Sequence, residues 1–177
     1  MIDIEDIDSL LENQEKMVRA LRLGTEKKVL WAQGNGIKSQ TSIVFIHGFS
    51  ASRVETDPVV DLIATELSAN VFFTRLRGHG QDGKALGEVT YEQLLDDTIE
   101  AIEIGKSIGD DVVLMGCSTG CSLIHIALGQ YKDIKAAIYI SPNFGPKPIK
   151  SQALRIPGAK FLVPLVFGKE RSFITKK

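Results

Sequence analysis

The sequence predicts an α/β fold, a three-layer sandwich in which helices cover both faces of a mostly parallel sheet. Three observations carry this. Runs that read as strands, at 42–47, 71–74, 112–115 and 134–140, alternate with segments of helical spacing. The strand runs are apolar nearly throughout rather than at every second residue, which is the pattern of parallel strands buried on both faces. Each run also ends in a loop of small or polar residues: His47-Gly48-Phe49-Ser50, Arg75-Leu76-Arg77-Gly78-His79-Gly80, Gly116-Cys117-Ser118 and Ser141-Pro142-Asn143. Loops at the carboxyl ends of parallel strands are where sites form in such sheets.

The elements follow in order. Residues 3–22 place Ile4, Ile7, Leu10, Leu11, Met17, Val18 and Leu21 at helical spacing, with acids gathered at the start and Gly24 as the stop. This segment, 1–24, is expected to pack as an amphipathic surface helix, with a dimer arm as the alternative. A short strand at 28–32 opens the core, and Gly34-Asn35-Gly36 turns the chain into the strand at 42–47. Asp57-Pro58 reads as cap and first-turn proline of a helix carried by Val60, Ile63, Ala64 and Leu67. After the strand at 71–74, Thr90 and Gln93 form a capping box for a helix whose buried stripe is Tyr91, Leu94, Leu95, Ile99 and Ile102, closed by Gly109. The core spans 28–146. Residues 147–177 change character, mixing prolines with the apolar patch at 161–167.

Composition fits a single domain over 1–177. The chain is 44% hydrophobic and 24% charged, with a net charge of −1, which gives no reason to expect nucleic acid as a partner. No apolar run is long enough to span a bilayer. The acidic start, Met1-Ile2-Asp3-Ile4-Glu5-Asp6, is not that of a signal peptide. Cys117 and Cys121 read as buried thiols rather than a disulfide or metal site, and a cytoplasmic setting is expected. No metal or cofactor is implied.

The chemistry concentrates at Gly116-Cys117-Ser118-Thr119-Gly120, between the run at 112–115 and helical spacing at Leu123, Ile124, Ala127 and Leu128. A serine flanked by glycines at a strand-to-helix turn is a nucleophile elbow: only glycine fits beside it, and its hydroxyl is pushed into the open. Ser118 is the candidate nucleophile. The following helix directs its unpaired N–H groups at the same place.

Together, His47-Gly48-Phe49, Arg77-Gly78-His79-Gly80, Gly116 to Gly120 and Ser141-Pro142 resemble the α/β-hydrolase fold family, in its esterase and monoacylglycerol-lipase-like branch. The resemblance covers 28–145. It implies that Ser118 attacks the carbonyl of a small-molecule acyl ester and forms an acyl-enzyme. Phe49 and Thr119 would supply the backbone N–H groups of the oxyanion hole. In that family the acid and then the histidine follow the serine, on strands beyond the lid that 147–177 resembles. Here no histidine follows His125, which lies about two turns along the serine's own helix. His47 belongs to the oxyanion turn, and His79 is the remaining substitute for the base. Of the later acids, neither Asp133 nor Glu170 sits where the family places one.

The expected function is therefore a serine hydrolase of the carboxylesterase or lipase type, impaired in this chain. A non-catalytic hydrolase-like domain and an acyltransferase are the alternatives. The apolar patch at 161–167 and an uncovered strand edge at 134–140 predict self-association.

Overall fold

The computed structural model describes residues 3–145, which build five strands and five helices. The strands are β1 (Lys28–Leu30), β2 (Ser39–Ile46), β3 (Asn70–Phe73), β4 (Gly109–Cys117) and β5 (Ala136–Ile140). The helices are α1 (Ile7–Lys16), α2 (Val59–Leu67), α3 (Gly83–Gly87), α4 (Tyr91–Ile108) and α5 (Thr119–Ala127). Strand order is β1-β3-β2-β4-β5. β1 runs antiparallel to β3, and the other neighbours are parallel. β2 and β4 share the longest register, from Ser39 opposite Gly109 to Ile46 opposite Gly116.

Alternation along β2 shows why the strands are apolar throughout. Val44 and Ile46 face one core with Phe72, Val112 and Leu114, against Ile7 and Leu11 of α1, Ile102 and Ile108 of α4, and Leu123 and Ile124 of α5. Ile43 and Phe45 face the other core with Val71, Phe73 and Met115, against Val60 and Ala64 of α2. Residues 42–46 of β2 therefore land on a buried face whichever way they point. The expected three-layer α/β fold is thus observed, with α1, α4 and α5 on one side and α2 on the other.

Several boundaries differ from the sequence reading. The first helix is confined to α1 and ends at Lys16 instead of running to residue 22, leaving Met17 exposed. Tertiary bonds set that end. Glu15 is buried, and its carboxylate accepts from Arg75 Nε at 2.7 Å and Nη2 at 2.8 Å and from Lys27 N at 3.1 Å. Arg22 N then donates to Gly80 O at 2.8 Å, and Ala20 turns with φ 51°. A continuous helix could not present these groups to the loop after β3.

Asp57 does not cap α2. The peptide bond to Pro58 is cis, Pro58 is the N-cap residue, and no side chain bonds to the helix start. In α4 the Thr90–Gln93 capping box forms as expected, but Tyr91 is exposed, whereas Asp97, Thr98 and Ala101 are buried. Asn70 was not singled out by the sequence. Buried at the start of β3, it accepts from Ala32 N at 2.9 Å and donates to Ile37 O and Ile108 O, each at 2.8 Å. Its amide joins three chain segments that have no ladder partner there.

Among the described residues β5 pairs with β4 alone, and Ile138 is exposed. The segment 147–177, including the apolar patch at 161–167, lies outside the described residues, as does Glu170.

Breaking the buried Glu15–Arg75 pair leaves an uncompensated guanidinium beside the loop after β3. Glu15→Ala is expected to destabilise the protein by about 3–5 kcal/mol, measured by denaturant unfolding. A loss no larger than that of exposed Glu12→Ala would contradict it.

Candidate functional site

Ser118 stands at the carboxyl end of β4, at the centre of the site-bearing edge, with φ 48° and ψ −110°. A non-glycine residue held there stores roughly 1–3 kcal/mol of strain, sustained by its surroundings. Ser118 N donates to Ile140 O at 2.9 Å, and Ser118 O accepts from Cys121 N at 3.1 Å and Asn143 N at 3.3 Å. The flanking glycines are sterically required. A Cβ on Gly120 would run into Ile46 O and stand 2.9 Å from His47 O, and one on Gly116 would lie 2.8 Å from Cys121 N. The first turn of α5 therefore presses directly on the end of β2. Ser122 hydrogen-bonds Asn143 O, which fixes the chain after β5 against the same turn.

The cysteines are free and buried, as expected. Cys121 Sγ donates to Gly116 O at 3.0 Å. Burial, and then the nearby Glu55 charge, push the Cys117 thiol up to about 11, so it is not an activated nucleophile.

The two residues named for the oxyanion hole follow adjacent strands, β2 and β4. Thr119 is the first residue of α5. Phe49 follows β2, exposed, its ring edge-on to His79 at 5.8 Å between centroids. Neither backbone N–H has an acceptor among the described residues.

His47 is buried and structural. Leu76 N–H donates to its Nε2 at 3.2 Å, so Nδ1 carries the proton and donates to Gly48 O at 2.9 Å. One neutral ring thereby joins the turn after β2 to the loop after β3. Desolvation lowers its pKa to about 3, against a raising contribution from the Gly48 carbonyl. His79 packs on it at 4.8 Å between centroids. Its Nδ1 donates to Arg77 O at 2.9 Å, while its buried Nε2 has no partner among the described residues. Burial also lowers the His79 pKa.

The loop after β3 is gripped from both sides. Arg75 meets Glu15 of α1, while Asp97 of α4 accepts from Arg77 N at 2.6 Å and Arg77 Nε at 2.8 Å. Burial raises the Asp97 pKa, opposed by the Arg77 backbone and charge.

The structure brings neither His125 nor Asp133 to Ser118. His125 is exposed on α5, its ring edge-on to Tyr139. Asp133 precedes β5, at the opposite end of the sheet from Ser118, and pairs with Lys106 at 2.5 Å. Glu55 is the residue that sequence reasoning missed. It follows the turn after β2 on a 3₁₀ turn, Arg53–Thr56, and its carboxylate accepts from Gly48 N at 2.7 Å. No spacing rule signals it, because the contact depends on how the chain folds back. Among the described residues no group of three or more His, Cys, Asp or Glu side chains could hold a metal ion.

Neutral, buried His47 predicts a pH dependence. Its folded pKa lies below the unfolded value near 6.5, so its contribution is fully present above about pH 6.5 and is lost as pH falls toward about 3. Unfolding free energy is expected to fall by up to about 1.4 kcal/mol per pH unit in that window, with His79 adding in the same direction. His47→Gln should flatten the slope in denaturant titrations between pH 7 and 4.5. An unchanged slope would contradict a buried neutral ring.

The alpha/beta hydrolase family matches residues 43–175 of this chain. No curated protein matches it by sequence. Among solved structures, it is similar to one described under LipS and LipT, two metagenome-derived lipolytic enzymes. That similarity has 21% identity and a TM-score of 0.65, covering 76% of this chain and 52% of the other. Est1E of Butyrivibrio proteoclasticus, with ferulic acid bound, is similar at 23% identity and TM-score 0.57, covering 76% and 52%. A soluble variant of Saccharomyces cerevisiae monoglyceride lipase is similar at 19% identity and TM-score 0.51, covering 85% and 53%. The chain spans about half the length of these structures. At such identities the structural likeness establishes the fold, while the family match extends over most of the sequence. The chain, with its strand-turn-helix elbow at Ser118, belongs to the alpha/beta hydrolase family.

Proposed function

We propose that this chain carries the nucleophile and oxyanion side of a serine hydrolase of the carboxylesterase or lipase type, acting on a small-molecule acyl ester. The observation that carries the reading is the Ser118 backbone, φ 48° and ψ −110°, held between two glycines that admit no side chain. Its hydroxyl oxygen would bond to the ester carbonyl carbon. The carbonyl oxygen would take the negative charge, facing the Phe49 and Thr119 N–H groups and the positive end of α5. Expulsion of the alcohol, which leaves with a proton, gives the acyl-enzyme. Water then releases the carboxylic acid and restores Ser118. The lipolytic and monoglyceride-lipase neighbours, and Est1E with ferulic acid bound, support an ester substrate.

A base is what this reading lacks among the described residues. Both His47 nitrogens are engaged, and His125 lies about two turns along α5. His79 Nε2 is the remaining histidine acceptor on this edge. Activity of this chain is accordingly expected to be weak, with the base supplied from outside the described residues or from another chain. The lack of a base beside Ser118 among the described residues favours, as the second reading, a domain that binds an acyl ligand without turnover. An acyltransferase would use the same serine and pass the acyl group to an alcohol, which product analysis with an added alcohol distinguishes.

Slow p-nitrophenyl acetate hydrolysis is expected from the purified chain and is expected to vanish in Ser118→Ala. Equal rates from the two proteins would reject Ser118 as the nucleophile in this chain.

A further inference from the structure

The turn after β2 and the elbow after β4 leave adjacent strands, yet no backbone hydrogen bond joins Gly48 or Phe49 to Cys117 or Ser118. The ladder stops at Ile46 opposite Gly116. One side chain reaches both. Glu55 Oε2 accepts from Gly48 N at 2.7 Å, the length of a charge-assisted bond. A Cβ built on Gly48 would stand 2.8 Å from Glu55 Oε1, 3.3 Å from Oε2 and 3.3 Å from Ser118 Cβ. The carboxylate and the Ser118 side chain thus both crowd the face of Gly48 on which a side chain would stand.

Glu55 also has no conventional reason to be there. Among the described residues no lysine, arginine or histidine forms an ion pair with it. Although the residue is exposed, its carboxylate is turned onto a backbone N–H. Its charge reaches the thiols of Cys117 and Cys121, on either side of the serine.

We propose that Glu55 is a positioning residue: its carboxylate fixes the turn after β2 against the elbow, so that Phe49 N–H, Thr119 N–H and Ser118 Oγ face one point. The catalytic consequence rests on the reading of Ser118 given above, whereas the bridge does not. The mechanism is local. The charge-assisted bond from Gly48 N–H holds the His47–Gly48 peptide, while His47 Nδ1 holds the carbonyl of the next peptide, the one that carries Phe49 N–H.

Two variants of the full chain test it. Glu55→Gln keeps an acceptor oxygen and removes the charge, and Glu55→Ala removes both. In ¹H–¹⁵N spectra the wild-type Gly48 amide proton should lie downfield, as its short bond to the carboxylate requires. Glu55→Ala should shift that resonance upfield, and Glu55→Gln should shift it less. Iodoacetamide alkylation of Cys117, separated from Cys121 by peptide mass spectrometry, should move to lower pH in both variants. The charged and titratable groups facing Cys117 are Glu55 and Cys121, and Cys121 is unchanged.

Ser118 phosphonylation by a fluorophosphonate should slow on the order of tenfold in Glu55→Ala and recover in Glu55→Gln. A Gly48 amide and a Cys117 profile that are unaltered in both variants would overturn the proposal. Wild-type Ser118 that takes no phosphonate, while Gly48 and Cys117 respond as stated, would refute the acyl-transfer reading and support the bridge.

Discussion

The structure depends on how closely the first turn of α5 is pressed against the end of β2. The Ile46 and His47 carbonyls occupy the space that a side chain on Gly120 would need, and the α5 backbone occupies the space beside Gly116. With glycine two residues to either side, at 116 and 120, the chain leaves β4 and enters α5 within a single residue. That residue is Ser118, forced into a left-handed conformation. The strain is local, but its support is not. It requires β2 and β4 to be adjacent and in register to their last pair, Ile46 and Gly116, and α5 to be held down by Leu123 and Ile124 in the core.

Around that contact the loops of the sheet edge are tied to one another by polar groups withdrawn from water. His47 joins the turn after β2 to Leu76 after β3. Glu15 and Asp97 reach the same loop from α1 and α4 and hold its two arginines. A buried ion pair of this kind is weak evidence for stability, since desolvation offsets much of the attraction. Its effect here is geometric. Arg75 and Arg77 cannot move without leaving a carboxylate alone in the protein interior, so the Gly78-His79-Gly80 loop stays against Phe49. The N-terminal helix is thereby a structural part of the site edge, although none of its residues lies near Ser118 in sequence.

The electrostatics of the edge are correspondingly set for rigidity. His47 is neutral with both nitrogens used, and His79 gives one nitrogen to a backbone carbonyl. Cys117 is kept protonated. Among the described residues Glu55 is the acidic group at the elbow, and it is bound to a backbone N–H rather than to a cation. The polar groups that surround Ser118 among the described residues are thus engaged in holding the loops of this edge together.

The sequence alone determined the layer architecture, because continuous apolar strands alternating with helices leave few alternatives to a parallel sheet covered on both faces. It also determined the elbow, since two glycines around a serine between a buried run and a helix are a local steric statement, and the Thr90–Gln93 capping box, which is likewise a matter of spacing. Tertiary structure decided what depends on partners far along the chain. Leu21 has helical spacing, yet α1 stops at Lys16 because Glu15 and Arg22 are claimed by Arg75 and Gly80. Asp97 was invisible as a core residue because a carboxylate is buried only where an arginine meets it. Asn70 and Glu55 follow the same rule. Their roles consist of hydrogen bonds to backbone atoms brought near only by folding, and no periodicity in a sequence encodes the approach of two segments across a sheet.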